Sequence, residues 1–104
     1  TMPVTGNAVY SASKAALVAY AKCLAQELAP RQIRVNSISP TMVWTDLALV
    51  GATVEQLQEA QLAYPLKRYG MPEDIANLVI YLLSNASAWM TGSNIEITGG
   101  SQTL

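Results

Sequence analysis

Tyr10 precedes Lys14 by four residues within "VYSASKAALVAYAKCLAQELAP". On a helix that spacing puts both side chains on one face, with Cβ atoms about 5–6 Å apart. A phenol alone is a poor proton donor or acceptor near neutral pH. A unit positive charge about 6 Å away, at an effective dielectric of about 20, stabilises a phenolate by about 2–3 kcal/mol. Such a pair can hand a proton to a carbonyl oxygen or take one from an alcohol. Spacing alone leaves a plainer reading open, a tyrosine packed at a helix start beside a snorkelling lysine.

The rest of the chain narrows the chemistry. There is no histidine and a single cysteine, Cys23. Ser-His-Asp and Cys-His nucleophile pairs therefore cannot be built from these residues, nor can zinc sites of the His or multi-Cys type. Acid–base work falls to Tyr, Lys or carboxylates, and no metal is expected. Six basic residues nearly balance seven acidic ones, so no electrostatic footprint for nucleic acid or an anionic membrane is present. No apolar run reaches the roughly 18 residues of a membrane span, and no secretory leader pattern opens the sequence. A cytoplasmic location is the expectation, which the lone cysteine suits.

The elements that must carry Tyr10 and Lys14 follow from periodicity and punctuation. Residues 7–29 form an Ala- and Leu-rich helix stopped by Pro30. Leu17, Ala21, Leu24 and Leu28 make one stripe, and Ala12, Ala15, Ala16 and Ala19 a second, small-residue face. A helix apolar on more than one side is expected to be covered twice, by a sheet and by another helix or subunit. Residues 32–40 read as a buried strand ended by Pro40. Thr53 and Gln56 match a capping box that opens a helix to about residue 63. Residues 70–85 read as a further helix, with Pro72, Glu73 and Asp74 in its first turn. Residues 94–98 read as a last strand before a bend at Gly99-Gly100.

Strands separated by helices imply an α/β fold with a parallel sheet, and two strands are too few for one. The expectation is one domain, residues 1–104, forming the carboxyl-terminal half of a doubly wound parallel sheet whose other half lies outside this sequence.

"YSASK", "IRVNSISP" with Thr45 five residues beyond Pro40, "PLKRYGMPEDIA" and "TGSNIEITGG" occur in that order. The series resembles the short-chain dehydrogenase/reductase family over essentially the whole chain. The resemblance implies a Rossmann-type fold and an NAD(P)-dependent oxidoreductase. Its members include 3-oxoacyl-carrier-protein reductases and polyol or sugar dehydrogenases, so the implied substrate is a small carbonyl compound or secondary alcohol. It implies that Tyr10 is the general acid or base, and that Lys14 tunes it and bonds the nicotinamide ribose. Pro40 and Thr41 would shape the nicotinamide loop, with Val43 and Thr45 contacting the carboxamide. The cofactor would be NAD or NADP, with the choice open.

The pattern departs from the family at two places. Thr41 replaces the usual glycine, which implies an altered loop shape. The glycine-rich phosphate loop, the catalytic serine and the active-site asparagine have no counterpart in this sequence, so half a site is expected and the 104 residues alone are expected to be inactive. A different class of function also stays open: a non-catalytic assembly module. Helix 9–29 and the last strand would then pair subunits, and the family resemblance implies a homodimer or homotetramer through the same elements.

Smaller readings complete the survey. Cys23 reads as packing, Asn36 as a backbone tether for its strand, and Asp46 as a cap. Lys67, Arg68, Glu73 and Asp74 read as solvated or helix-end charges. Trp89 and Met90 read as packing near the last strand. The apolar loop around Met42, Trp44, Leu47, Leu49 and Val50 either lids a substrate pocket or packs under itself.

Overall fold

In the computed structural model the long Ala-rich segment is a helix, α1 (Ala8–Leu28), as its composition dictates. The structure describes residues 8–41 and 51–101. After Leu28 the chain tightens into a 3₁₀ turn, Ala29–Arg31, with Pro30 in its first positions. Gln32 then adopts the left-handed conformation, φ 60°. Its N–H donates to the Ala29 carbonyl at 2.9 Å, and the Ile33 N–H to the Leu28 carbonyl at 3.3 Å. This bond pair is a Schellman closure, built without the usual glycine.

That closure corrects the strand expected over residues 32–40. Gln32 and Ile33 belong to the end of α1, and only Ser37–Pro40 form the strand, β1. The intervening residues are tethered through side chains and main-chain bonds. The Arg34 guanidinium donates to the carbonyls of Leu82 (2.8 Å), Ser84 (3.2 Å) and Met90 (3.1 Å). Asn36 donates to the Met90 carbonyl and accepts from the Ser93 N–H, both at 3.1 Å. Asn36 thus tethers backbone as expected, and Arg34 adds a cation at a helix C-terminus, where the dipole favours it.

The second helix, α2 (Val54–Ala60), opens with the capping box. Thr53 Oγ1 accepts from the Gln56 N–H at 3.1 Å, and Gln56 Oε1 accepts from the Thr53 N–H at 3.0 Å. A 3₁₀ turn, Gln61–Ala63, ends it. The third helix, α3 (Pro72–Leu83), starts with proline where a missing N–H is harmless. Asp74 accepts from the Met71 N–H at 2.7 Å. Ile75, Leu78 and Leu82 lie half-buried on one stripe of α3. A 3₁₀ turn, Asn85–Ser87, and a bend lead to the last strand, β2 (Asn94–Ile97).

The strands β1 and β2 pair in parallel, with Ser37 opposite Asn94, Ile38 opposite Ile95, Ser39 opposite Glu96 and Pro40 opposite Ile97. The N–H groups of Ser37 and Thr41 donate to the Ser93 and Ile97 carbonyls at 2.9 and 3.1 Å. Donors toward β2 therefore come from odd-numbered residues, and the N–H that Pro40 lacks would face the opposite edge. Proline is tolerated there and limits further pairing on that edge.

Gly92 joins the sheet to α1. Its φ is 73°, its N–H donates to Val35 at 2.7 Å, and an added Cβ would lie 3.5 Å from the Ala25 Cβ. Around that approach Ala21 and Ala25 are the buried residues of α1. The other buried apolar side chains among the described residues are Leu57 and Tyr69, whose phenol donates to the Leu57 carbonyl at 2.9 Å.

The second cover expected for α1 is not supplied by these residues. Val9, Tyr10, Leu17 and Tyr20 are exposed. So is Cys23, which corrects its reading as interior packing. Trp89 is 99% exposed and does not pack near the last strand. The radius of gyration is 15.9 Å, against about 13 Å for a compact chain of this length. A two-stranded sheet is too narrow to cover these side chains.

Candidate functional site

Tyr10 lies in the first turn of α1 and Lys14 one turn later. The Lys14 Nζ sits over the Tyr10 ring, 5.4 Å from its centroid. That is within cation–π range, worth about 0.5–1 kcal/mol at an exposed site. The Tyr10 side chain is 59% exposed, so it is open to a ligand. The Ser13 hydroxyl donates to the Tyr10 carbonyl at 2.7 Å and ties down the same turn. The expected one-face pairing is present, with the ammonium against the ring face.

Pro40 and Thr41 emerge at the carboxyl end of β1, beside the carboxyl end of β2. In open α/β sheets ligands bind in the crevice outside those ends. Here that crevice is a cleft of about 240 Å³, lined by Thr41, Leu66, Arg68, Ile97 and Gly99 among others. The Tyr10–Lys14 pair is not part of its lining. Thr41, where the family resemblance implies glycine, sits without strain: among the described residues the non-glycine positions at positive φ are Gln32 and Lys67. Val43 and Thr45 lie outside the described residues, as do Met42, Trp44, Asp46, Leu47, Leu49 and Val50.

Arg68 and Asp74, read as solvated or helix-end charges, both line the cleft and pair with each other. Arg68 donates to both Asp74 carboxylate oxygens, at 2.9 and 3.3 Å. The hydrogen bond from Arg68, aided by the Met71 N–H, lowers the Asp74 carboxyl to about 2. The same partner pushes the Arg68 guanidinium upward. Asp74 thus serves both the start of α3 and the loop before it. The pairing was hidden in the sequence because a six-residue separation across a turn has no helical or strand periodicity.

Next to the cleft, the bend after β2 makes a tight approach. Gly100, at φ 88°, leaves room for Pro65, whose Cβ and Cγ would lie 3.0 Å from an added Cβ. The Leu66 N–H donates to the Gly99 carbonyl at 3.1 Å. The expected bend at Gly99-Gly100 is therefore a docking point for the 64–66 segment. Among the described residues no three His, Cys, Asp or Glu side chains gather to hold a metal ion. Nor is any helix there long and apolar enough to cross a membrane.

The family model described as "Enoyl-(Acyl carrier protein) reductase" matches residues 1–102. The 3-oxoacyl-(acyl-carrier-protein) reductase FabG of Aquifex aeolicus is 40% identical over 96 residues, covering 91% of this chain and 38% of its own length. An L-xylulose reductase of Caenorhabditis elegans is 38% identical over 99 residues, 94% of this chain and 39% of its own. The chain thus spans well under half the length of the curated relatives it matches. A crystal structure of a short chain dehydrogenase family protein from Francisella tularensis superposes with a TM-score of 0.87 at 36% identity. It covers 99% of this chain and 47% of that one. A Brucella melitensis short-chain dehydrogenase/reductase superposes at 0.83 with 35% identity, covering 97% and 40%. The α/β architecture is accordingly an incomplete Rossmann-type doubly wound parallel sheet. On sequence and structure together, the chain belongs to the short-chain dehydrogenase/reductase family.

Proposed function

We propose that this chain carries the proton-transfer end and the nicotinamide-side loop of an NAD(P)-dependent oxidoreductase. Its substrate is a ketone or 3-oxo compound reduced to an alcohol, or a secondary alcohol oxidised in reverse. The observation that carries the reading is the Lys14 ammonium held over an exposed Tyr10 ring. A bound dinucleotide would supply or take the hydride. Tyr10 donates a proton to the substrate oxygen, or accepts one in the reverse direction, and Lys14 biases its ring electrostatically and bonds the nicotinamide ribose. Pro40, Thr41, Val43 and Thr45 border the nicotinamide. The fit is supported by Thr41 lining a cleft at the carboxyl edge of the sheet.

Residues 1–104 are read as the carboxyl-terminal part of a single Rossmann domain, acting in the cytoplasm. By themselves they are expected to be inactive, because no glycine-rich phosphate loop occurs among them. The cofactor is NAD or NADP; one relative is an NAD-dependent glycerol dehydrogenase by name. Relatives named for an acyl-carrier-protein substrate and for a sugar are almost equally similar, 40% and 38%, so similarity does not choose between those substrate classes.

A homo-oligomer, dimer or tetramer, is the proposed assembly. The exposed Leu17 and Tyr20 of α1 favour it, and a purely non-catalytic pairing role is the second reading. The decisive experiment is Tyr10→Phe in the protein as encoded, assayed with NADH and NADPH against carbonyl substrates. Turnover should fall by about 10²–10⁴-fold with an unchanged circular dichroism spectrum. Retained turnover would refute the role assigned to Tyr10; a parent protein without turnover would favour the assembly reading.

A further inference from the structure

Ser37 and Ser39 project from the same face of β1, since strand side chains alternate. Both hydroxyls donate to one atom, Asn94 Oδ1, each at 2.9 Å. Asn94 stands directly opposite Ser37 in the ladder, so one bond is a cross-strand pair and the other a diagonal. The three side chains are half-buried, in a parallel sheet where apolar β-branched residues are the usual choice. Polar groups there need a reason, because each must keep its partner or lose stability.

The reason lies in what main-chain bonds leave undetermined. Sliding β1 by two residues along β2 would preserve the alternation of faces and an equivalent set of ladder bonds. It would also move Pro40 and Thr41 by about 6.6 Å relative to β2. Asn94 bonds Ser37 and Ser39 together only in the observed register. Ser39 is the residue before Pro40, and the Thr41 N–H makes the next bond to β2, 3.1 Å to the Ile97 carbonyl.

We propose that Asn94, acting through Ser37 and Ser39, is a positioning residue that sets where the Pro40–Thr41 segment leaves the sheet and thereby how it meets the dinucleotide. The inference rests on the reading of that segment as the nicotinamide-side loop. It differs from a generic packing role because its effect is directed to one end of β1.

The test compares Asn94→Leu, which removes the acceptor, with Asn94→Asp, which keeps an oxygen at the same reach; Ser39→Ala serves as a milder variant should Asn94→Leu fail to fold. Two quantities are read in the protein as encoded. One is amide hydrogen exchange at Thr41 and, as the control at the other end of the ladder, at Gly92. The other is the dissociation constant for NADH and NADPH by fluorescence titration. Loss of the acceptor should accelerate exchange at Thr41 by about tenfold, leave Gly92 unchanged, and weaken dinucleotide binding by about five- to tenfold. Asn94→Asp should stay within about twofold of the parent on both.

An unchanged Thr41 exchange rate in the acceptor-less variant overturns the proposal, as does failure of Asn94→Asp to restore it. Faster exchange with unaltered dinucleotide affinity overturns the role toward the cofactor while the functional reading stands. A parent protein that binds neither dinucleotide overturns the functional reading, and with it the role toward the cofactor.

Discussion

The two ends of the molecule are stabilised in opposite ways. Around β1, β2 and the ends of α3, side chains reach across the chain to named backbone atoms. Arg34 meets the carbonyls of Leu82, Ser84 and Met90, Asn36 bridges Met90 and Ser93, and Asn94 holds two serines. Along α1, by contrast, only Ala21 and Ala25 are buried, while Leu17 and Tyr20 stand exposed. The difference separates a region whose geometry its own residues specify from one whose apolar surface awaits a cover. The candidate loop at Thr41 belongs to the first region and the candidate proton donor Tyr10 to the second. Their relative placement in an active enzyme therefore depends on what packs against α1.

The comparison can be broken at its strongest point first. Arg34→Met keeps much of the aliphatic stem and removes every guanidinium bond to those carbonyls. It should destabilise the protein by about 2–3 kcal/mol, read as a lower urea midpoint at constant slope. A loss below about 0.5 kcal/mol would mean that the tethers are incidental.

The second test addresses the bare face. Leu17→Asp should leave the chain's own fold intact, because Leu17 is 55% exposed, yet shift the assembly to a smaller species in size-exclusion chromatography with light scattering. An unaltered mass would show that this face is not covered by another copy.

The smallest effect belongs to Asp74, an exposed pair whose worth is limited by solvent screening. Its carboxyl is lowered to about 2 from an ordinary 3.8. The unfolded chain therefore binds more protons than the native one between those values. The stabilisation is fully present above about pH 5 and is lost as the pH falls through about 2. Asp74→Asn should flatten that acid limb of a melting-temperature profile and leave the neutral region only slightly lower. An unchanged acid limb would remove Arg68–Asp74 from the account.

Much of this was legible in residue order. The Thr53–Gln56 capping box, Pro72 in the first turn of α3 and the bend at Gly99-Gly100 all lie where local chemistry put them, since caps and turns act over a few residues. The parallel pairing of β1 with β2 followed from helices lying between two β-branched runs. The start of β1 was misread because Gln32 closes α1 in a left-handed conformation that composition assigns to glycine. Trp89 was misplaced because aromatic character predicts burial only on average, and none of the described residues covers it.

From residue order alone came the Tyr10–Lys14 spacing, the absence of histidine among these residues and the α/β class, carried by local spacing or composition, and the family resemblance, carried by the likeness of four ordered motifs. Tertiary structure decided which backbone atoms Arg34 and Asn36 reach, that Arg68 pairs with Asp74, and that one asparagine gathers two serines at the foot of the candidate loop. These contacts join residues brought together only when the chain folds. Their energy depends on distance in space, to which the order of residues along the chain gives no direct measure.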